Sequence, residues 1–118
     1  KGRGYSAMRE GRRRKLESFI AREVSRIIQK EMRDPRVSSV SVSKVEITKE
    51  LEFAKVYVSM YDDSLDKEKV VEILNRASGF FKYHIGKNLK VRRIPNIIFK
   101  LDRSIEEGDK VLAKIFDM

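Results

Sequence analysis

Between Arg76 and Arg93 the chain carries six basic side chains, Arg76, Lys82, Lys87, Lys90, Arg92 and Arg93, and no acidic one. Phe81, Ile85 and Leu89 recur through the same stretch at i, i+4 and i+8, so one side of a helix can be buried while the other stays cationic. A helix face without compensating acids suits a polyanion better than it suits its own stability, which points to nucleic acid. The bland alternative is that these side chains only solubilise a surface. Solubilising faces usually mix both signs, and this one does not. Near the start of the stretch stands Ala77-Ser78-Gly79. Small residues at a helical break let one backbone approach another, and Gly79 is free to take angles closed to other residues. An outward-pointing helix N-terminus there would bind phosphate. A kink that only seats the helix on a sheet explains the same residues equally well.

Little else in the sequence could do chemistry. Gly79 and Gly86 stand alone, without GxGxxG or a phosphate loop around them. Asp62-Asp63 is a close carboxylate pair, and an acidic helix start accounts for it. The single histidine, His84, has no carboxylate near it in sequence; it reads as an ordinary helix residue, with stacking on RNA as the sharper alternative. There is no cysteine, which removes thiol catalysis and Cys-based zinc sites, and one histidine excludes paired-His metal sites. No catalytic residue, metal site or cofactor is expected.

The elements that must position the cationic stretch follow from periodicity. The net charge of +9 over 118 residues is carried in blocks. Residues 1–36 hold 12 basic and 5 acidic side chains, while 37–75 hold 5 and 8. Leu16, Phe19, Ile20, Val24, Ile27 and Ile28 predict a helix over roughly Arg12–Met32, stopped at Asp34-Pro35. Lys1–Glu10 reads as a flexible basic arm, leaving 11–118 as one domain. The chain opens on Lys1 rather than Met and reads as trimmed; its start lacks the apolar run of a signal peptide. No apolar run is long enough for a membrane span.

Val40–Thr48 alternates as a strand, with a parity shift between Val42 and Val45 that predicts a bulge. Lys49-Glu50-Leu51-Glu52 reads as a hairpin turn without glycine, and Phe53–Tyr61 as a second strand whose outer face (Phe53, Lys55, Tyr57, Ser59, Tyr61) is amphipathic. Asp62 to Asp66 is cap-like. Val70, Ile73, Leu74 and Ala77 then continue into the cationic helical stretch. Ile94-Pro95-Asn96 breaks the chain before a third strand, Ile97–Asp102, and Ser104 with Glu107 forms a capping box for a short last helix. The order α-β-β-α-α-β is an α+β class with a three-stranded sheet.

That order resembles a type II KH-like RNA-binding domain, with helices on one face of the sheet. Such domains hold nucleic acid with GXXG between two helices. Here Ala77-Ser78-Gly79 stands in its place. Together with Arg33-Asp34-Pro35-Arg36, the run RASGFFKYHIGKNLKVRRIPNIIFKLD from Arg76 to Asp102, and its Arg92-Arg93-Ile94-Pro95 segment, the chain resembles the ribosome-binding factor A family from about Arg9 to Ile115. Asn96 departs from the acidic residue that family often has after the proline.

The resemblance implies a cytoplasmic, monomeric, non-enzymatic factor. It would bind the small ribosomal subunit and promote late maturation of small-subunit rRNA by holding one arrangement over another. Its partners would be that subunit and its rRNA, with other assembly factors, GTPases included, and no membrane. The RNA-binding side chains are expected to be Lys82, Lys87 and Lys90 on the long helix, Arg92 and Arg93 at the strand entry, and Arg76, Ala77, Ser78 and Gly79 at the kink. The first helix would add Arg13, Arg14 and Arg22, with Arg26 beside them. A generic single-stranded RNA or DNA binder, and a module whose basic face docks an acidic protein, remain as alternatives.

Overall fold

Alternating Val and Ile runs pair, and helical stripes cover them. The structure, a computed structural model, describes residues 2–62, 64–89 and 93–104, with side chains from residue 10 onward. Helix α1 (Gly2–Lys30) is followed by β1 (Ser41–Ile47), β2 (Phe53–Ser59), α2 (Lys67–Arg76), α3 (Ser78–Asn88) and β3 (Asn96–Leu101). The sheet order is β1-β2-β3, antiparallel in the first pair and parallel in the second. This is the α+β, type II KH-like arrangement. The expected helix after Ser104 falls on 105–118 and lies outside the described residues.

Helix α1 starts at Gly2, not near Arg12 as expected, and so runs through the segment read as an arm. Residues 2–11 have no apolar stripe, so periodicity could not register them. They contain no proline, and extending a formed helix is far easier than starting one. The part of α1 that packs is the part the sequence marks: Ile20, Val24, Ile27 and Ile28 are buried, with Leu16 and Phe19 partly so. The helix closes with the Glu31 and Met32 N–H groups both donating to the Ile27 carbonyl, at 2.8 and 2.9 Å.

The β1–β2 register is Val42↔Val58 and then Lys44↔Tyr57, leaving Ser43 as the extra residue of a bulge, between the positions where the apolar parity shifts. The hairpin turn has Leu51 at φ 58°, an angle that costs an ordinary L-residue about 1–2 kcal/mol. Thr48 compensates by accepting from Phe53 N–H through Oγ1 at 3.0 Å, and from Leu51 N–H through its carbonyl at 2.9 Å.

Val45, Ile47, Ala54, Val56, Val58, Ile97 and Phe99 form the buried face of the sheet, with Leu74, Phe81 and Ile85 of α2 and α3 packed into the same core. Phe81 and Phe99 meet with ring centroids 4.8 Å apart, inclined at 60°. Both free edges of the sheet are met by helix side chains. Glu17 of α1 accepts from Ile47 N–H of β1 at 2.8 Å. Asn75 of α2 accepts from Phe99 N–H at 2.7 Å and donates to the Phe99 carbonyl at 3.0 Å, acting as a one-residue strand partner for β3.

Candidate nucleic-acid interface

The α2–α3 break is a single residue. Asp66 caps α2 by accepting from Lys69 N–H at 3.2 Å. Ala77, at φ −93° and ψ 11°, ends α2 and starts α3. Its N–H reaches the Ile73 and Leu74 carbonyls, and its own carbonyl accepts from Phe81 N–H at 3.1 Å. Gly79 takes no positive φ, and a Cβ built on it would meet nothing within 4 Å. The expected use of Gly79 for special angles or close backbone approach is therefore not what makes the bend; Ala77 absorbs it.

The expected RNA-binding residues divide into groups. Arg76, Ala77, Ser78 and Gly79 sit at one end of α3, and Arg76 pairs with Glu72 one turn back, just outside the acid-free window. Lys87 sits at the other end, about 13 Å along the axis from Ser78 at 1.5 Å per residue. There Asn88 Nδ2 donates to Glu23 Oε1 at 2.8 Å and ties α3 to α1. This junction brings the element bearing Arg22 against the element bearing Lys87. A broad depression beside it is lined by Leu16, Phe19 and Leu89 together with Arg12, Arg22 and Lys49.

Several cations are already engaged. Arg13 pairs with Glu10. Arg26 holds Glu23 at 3.1 Å and Glu31 at 3.4 Å. The Arg26 hydrogen bond, aided by Asn88 and Arg22, keeps the Glu23 carboxyl below its usual range despite partial burial. Lys82 donates to Asn96 Oδ1 at 2.9 Å, bridging α3 to the entry of β3. Arg14 and Arg93 are exposed and have no ion pair among the described residues. Lys90 and Arg92 lie outside the described residues.

The Arg33-Asp34-Pro35-Arg36 motif builds a turn. Asp34 accepts from Arg36 N–H at 2.9 Å and from its guanidinium at 2.6–3.2 Å. These contacts hold the Asp34 carboxyl at about 2, well below the ordinary carboxylate. The turn seats Val37 and Val40 in the core.

Sequence reasoning missed Phe80 and Tyr83. Both are exposed, at 39% and 62%, on the outer face of α3. Their signal was present: Phe80, Tyr83, His84 and Lys87 follow i, i+3, i+4, i+7, a second stripe beside the buried one of Phe81 and Ile85. Among the described residues no cluster of His, Cys, Asp or Glu could hold a metal ion, and no helix is long and apolar enough to cross a membrane.

The family model of ribosome-binding factor A matches residues 12–115. The chain belongs to the ribosome-binding factor A family. It is 36% identical over 108 residues to ribosome-binding factor A of Dictyoglomus thermophilum, covering 91% of this chain and 90% of that one. The crystal structure of ribosome-binding factor A from Thermus thermophilus superimposes with a TM-score of 0.69 at 25% identity, over 78% of this chain and 98% of that one. A homology model of the Thermus thermophilus factor, as fitted into a cryo-electron microscopy map of its complex with the 30S subunit, matches with a TM-score of 0.63 at 26% identity, over 75% of this chain and 93% of that one.

Proposed function

We propose that this chain is a cytoplasmic assembly factor that binds the small ribosomal subunit through its rRNA and promotes late maturation of that rRNA by binding energy alone. The observation that carries this reading is family membership combined with an α3 that has no acid and turns Lys87 outward, beside an α1 rich in arginine. A neighbour of the same fold was fitted into a map of a complex with the 30S subunit, which supports the same partner. No catalysis and no cofactor enter the mechanism. Binding favours one rRNA arrangement and shifts its population. The factor acts as a monomer, alongside other assembly factors that include GTPases. Residues 11–118 form the binding domain, and the basic residues of 1–10 extend its cationic surface.

A sedimentation profile tests this. The protein is expected to travel with small subunits and their precursors, to be released by ribonuclease, and to prefer the particle to a free rRNA fragment. Equal binding to any single-stranded RNA would reduce it to a generic binder. Survival of the association after ribonuclease treatment would point to a protein partner instead.

A further inference from the structure

The outer stripe of α3 has a chemistry that positive charge alone does not require. The Phe80 and His84 rings lie 4.3 Å apart, and Tyr83 meets His84 edge-on at 5.3 Å. Lys87 Nζ sits 4.5 Å from the centroid of the Tyr83 ring. Phe80 also touches the core at the edge of Phe81, with centroids 6.2 Å apart, which anchors the outer group. So three rings stand in contact on the solvent-facing side of α3, Tyr83 largely exposed and Phe80 and His84 partly so. Tyr83 is open to solvent apart from its own helix neighbours, and Phe80 leans on Phe81 and His84 while keeping part of its ring exposed. The described part of α3 carries no acid, and Lys87 has no ion pair among the described residues.

We propose that Phe80, Tyr83 and His84 form a stacking platform for an unpaired base of single-stranded RNA, with Lys87 supplying the charge for the phosphate of the same nucleotide. Proteins recognise unpaired bases by presenting ring faces beside cations, since every base has a π-face and every nucleotide a phosphate. The Lys87–Tyr83 contact is an exposed cation–π pair, easily exchanged. A base that takes the ring face displaces the ammonium, which turns to the adjacent phosphate. An acidic or apolar protein surface would satisfy only half of the stripe, the cation or the rings. The proposal rests on the preceding reading that the partner is RNA, and it adds which nucleotide conformation this face takes.

The chain contains no tryptophan, so Tyr83→Trp places one indole on the platform without a competing signal. In the full chain at low salt, single-stranded oligoadenylate is expected to quench that indole saturably. An abasic strand of the same length, which keeps the phosphates and lacks the bases, is expected to leave it unchanged. Equal quenching by both strands overturns stacking. Tyr83→Ala should weaken small-subunit binding roughly tenfold, the size of effect that loss of one stacked base produces, and Tyr83→Phe should restore it. Parent-like binding by a folded Tyr83→Ala protein also overturns the proposal, while leaving ribosome binding itself intact. Failure of the parent to sediment with small subunits would instead refute the preceding reading.

Discussion

Asn75 offers the sharpest test of how the fold is held. Its side-chain amide makes two hydrogen bonds to one backbone residue, Phe99, on the free edge of β3. Phe99 is 2% exposed, so its N–H and carbonyl have little water to fall back on. Asn75→Ala removes both partners at once. Leaving a buried backbone group unsatisfied costs about 1–3 kcal/mol. Asn75 itself is only half-buried, and water entering the gap recovers part of that, so the expected loss is about 2–4 kcal/mol. A change of 1 kcal/mol moves the midpoint of a domain this size by about 4 °C, so Tm should fall by about 8 °C or more. The urea m-value should stay constant, because the surface exposed on unfolding is unchanged.

Asn75→Asp separates hydrogen bonding from packing. Its carboxylate still accepts from Phe99 N–H, but its second oxygen now faces the Phe99 carbonyl. That repulsion raises the folded-state pKa of the introduced group. The variant should therefore be destabilised at neutral pH, with the penalty shrinking as the pH falls from the raised folded-state pKa toward about 4, the ordinary value, where the acid form donates again. Urea titrations of the three proteins at pH 7 and pH 4 decide the matter. An Ala variant within 0.5 kcal/mol of the parent, with no pH-dependent gap for Asp, would refute the idea that Asn75 serves as a strand partner.

Phe81→Ala should cost about 3–5 kcal/mol, since the ring is fully buried against Phe99; a melting temperature within two degrees of the parent would place it outside the core. Gly79→Ala should stabilise the protein by up to about 1 kcal/mol with ribosome binding retained, because the site is helical and open; a clear loss in urea denaturation would mean that the bend needs glycine after all. Reversing Lys87, Lys90, Arg92 and Arg93 to Glu should abolish co-sedimentation with small subunits while far-ultraviolet circular dichroism stays parent-like, and the parent's binding should fall steeply with salt. The Asp34 carboxyl should titrate near 2 by NMR and return toward 3.8 in Arg36→Gln. Because its folded pKa is depressed, whatever the Asp34–Arg36 turn adds to stability is complete above the ordinary carboxylate value and is lost as the pH falls toward 2.

Much of the architecture was legible because it is written in neighbouring residues. The Ile20, Val24, Ile27 stripe marks the buried part of α1, the parity shift marks the bulge at Ser43, and the small-residue run Ala77-Ser78-Gly79 marks the neighbourhood of the break between α2 and α3, though not that Ala77 rather than Gly79 makes it. Each is a period or an interruption of a period within one element, where the backbone geometry alone places the side chains. The acid-free run from Arg76 to Arg93 was equally plain, since charge composition needs no fold to be counted.

Tertiary structure decided what depends on distance in space. Asn75 reaches Phe99 across 24 residues and Glu17 reaches Ile47 across 30, so neither partnership has a local signature. It also engaged Lys82, which is held by Asn96, a β3 residue 14 positions away, whereas Arg13, Arg26 and Arg76 pair with acids three or four residues off on their own helices, as helical spacing alone allows. Phe80 and Tyr83 became conspicuous only once Phe81 and Ile85 were seen to take the buried side of α3, because an apolar residue in a helix looks the same in sequence whether it faces the core or the solvent. Local pattern sets the order of the elements and the sign of the surface, though not where α1 begins. Which side chains remain free on that surface is a property of the packed molecule, because the pairings that engage Lys82, Asn75 and Glu17 exist only once the sheet and its helices are in place.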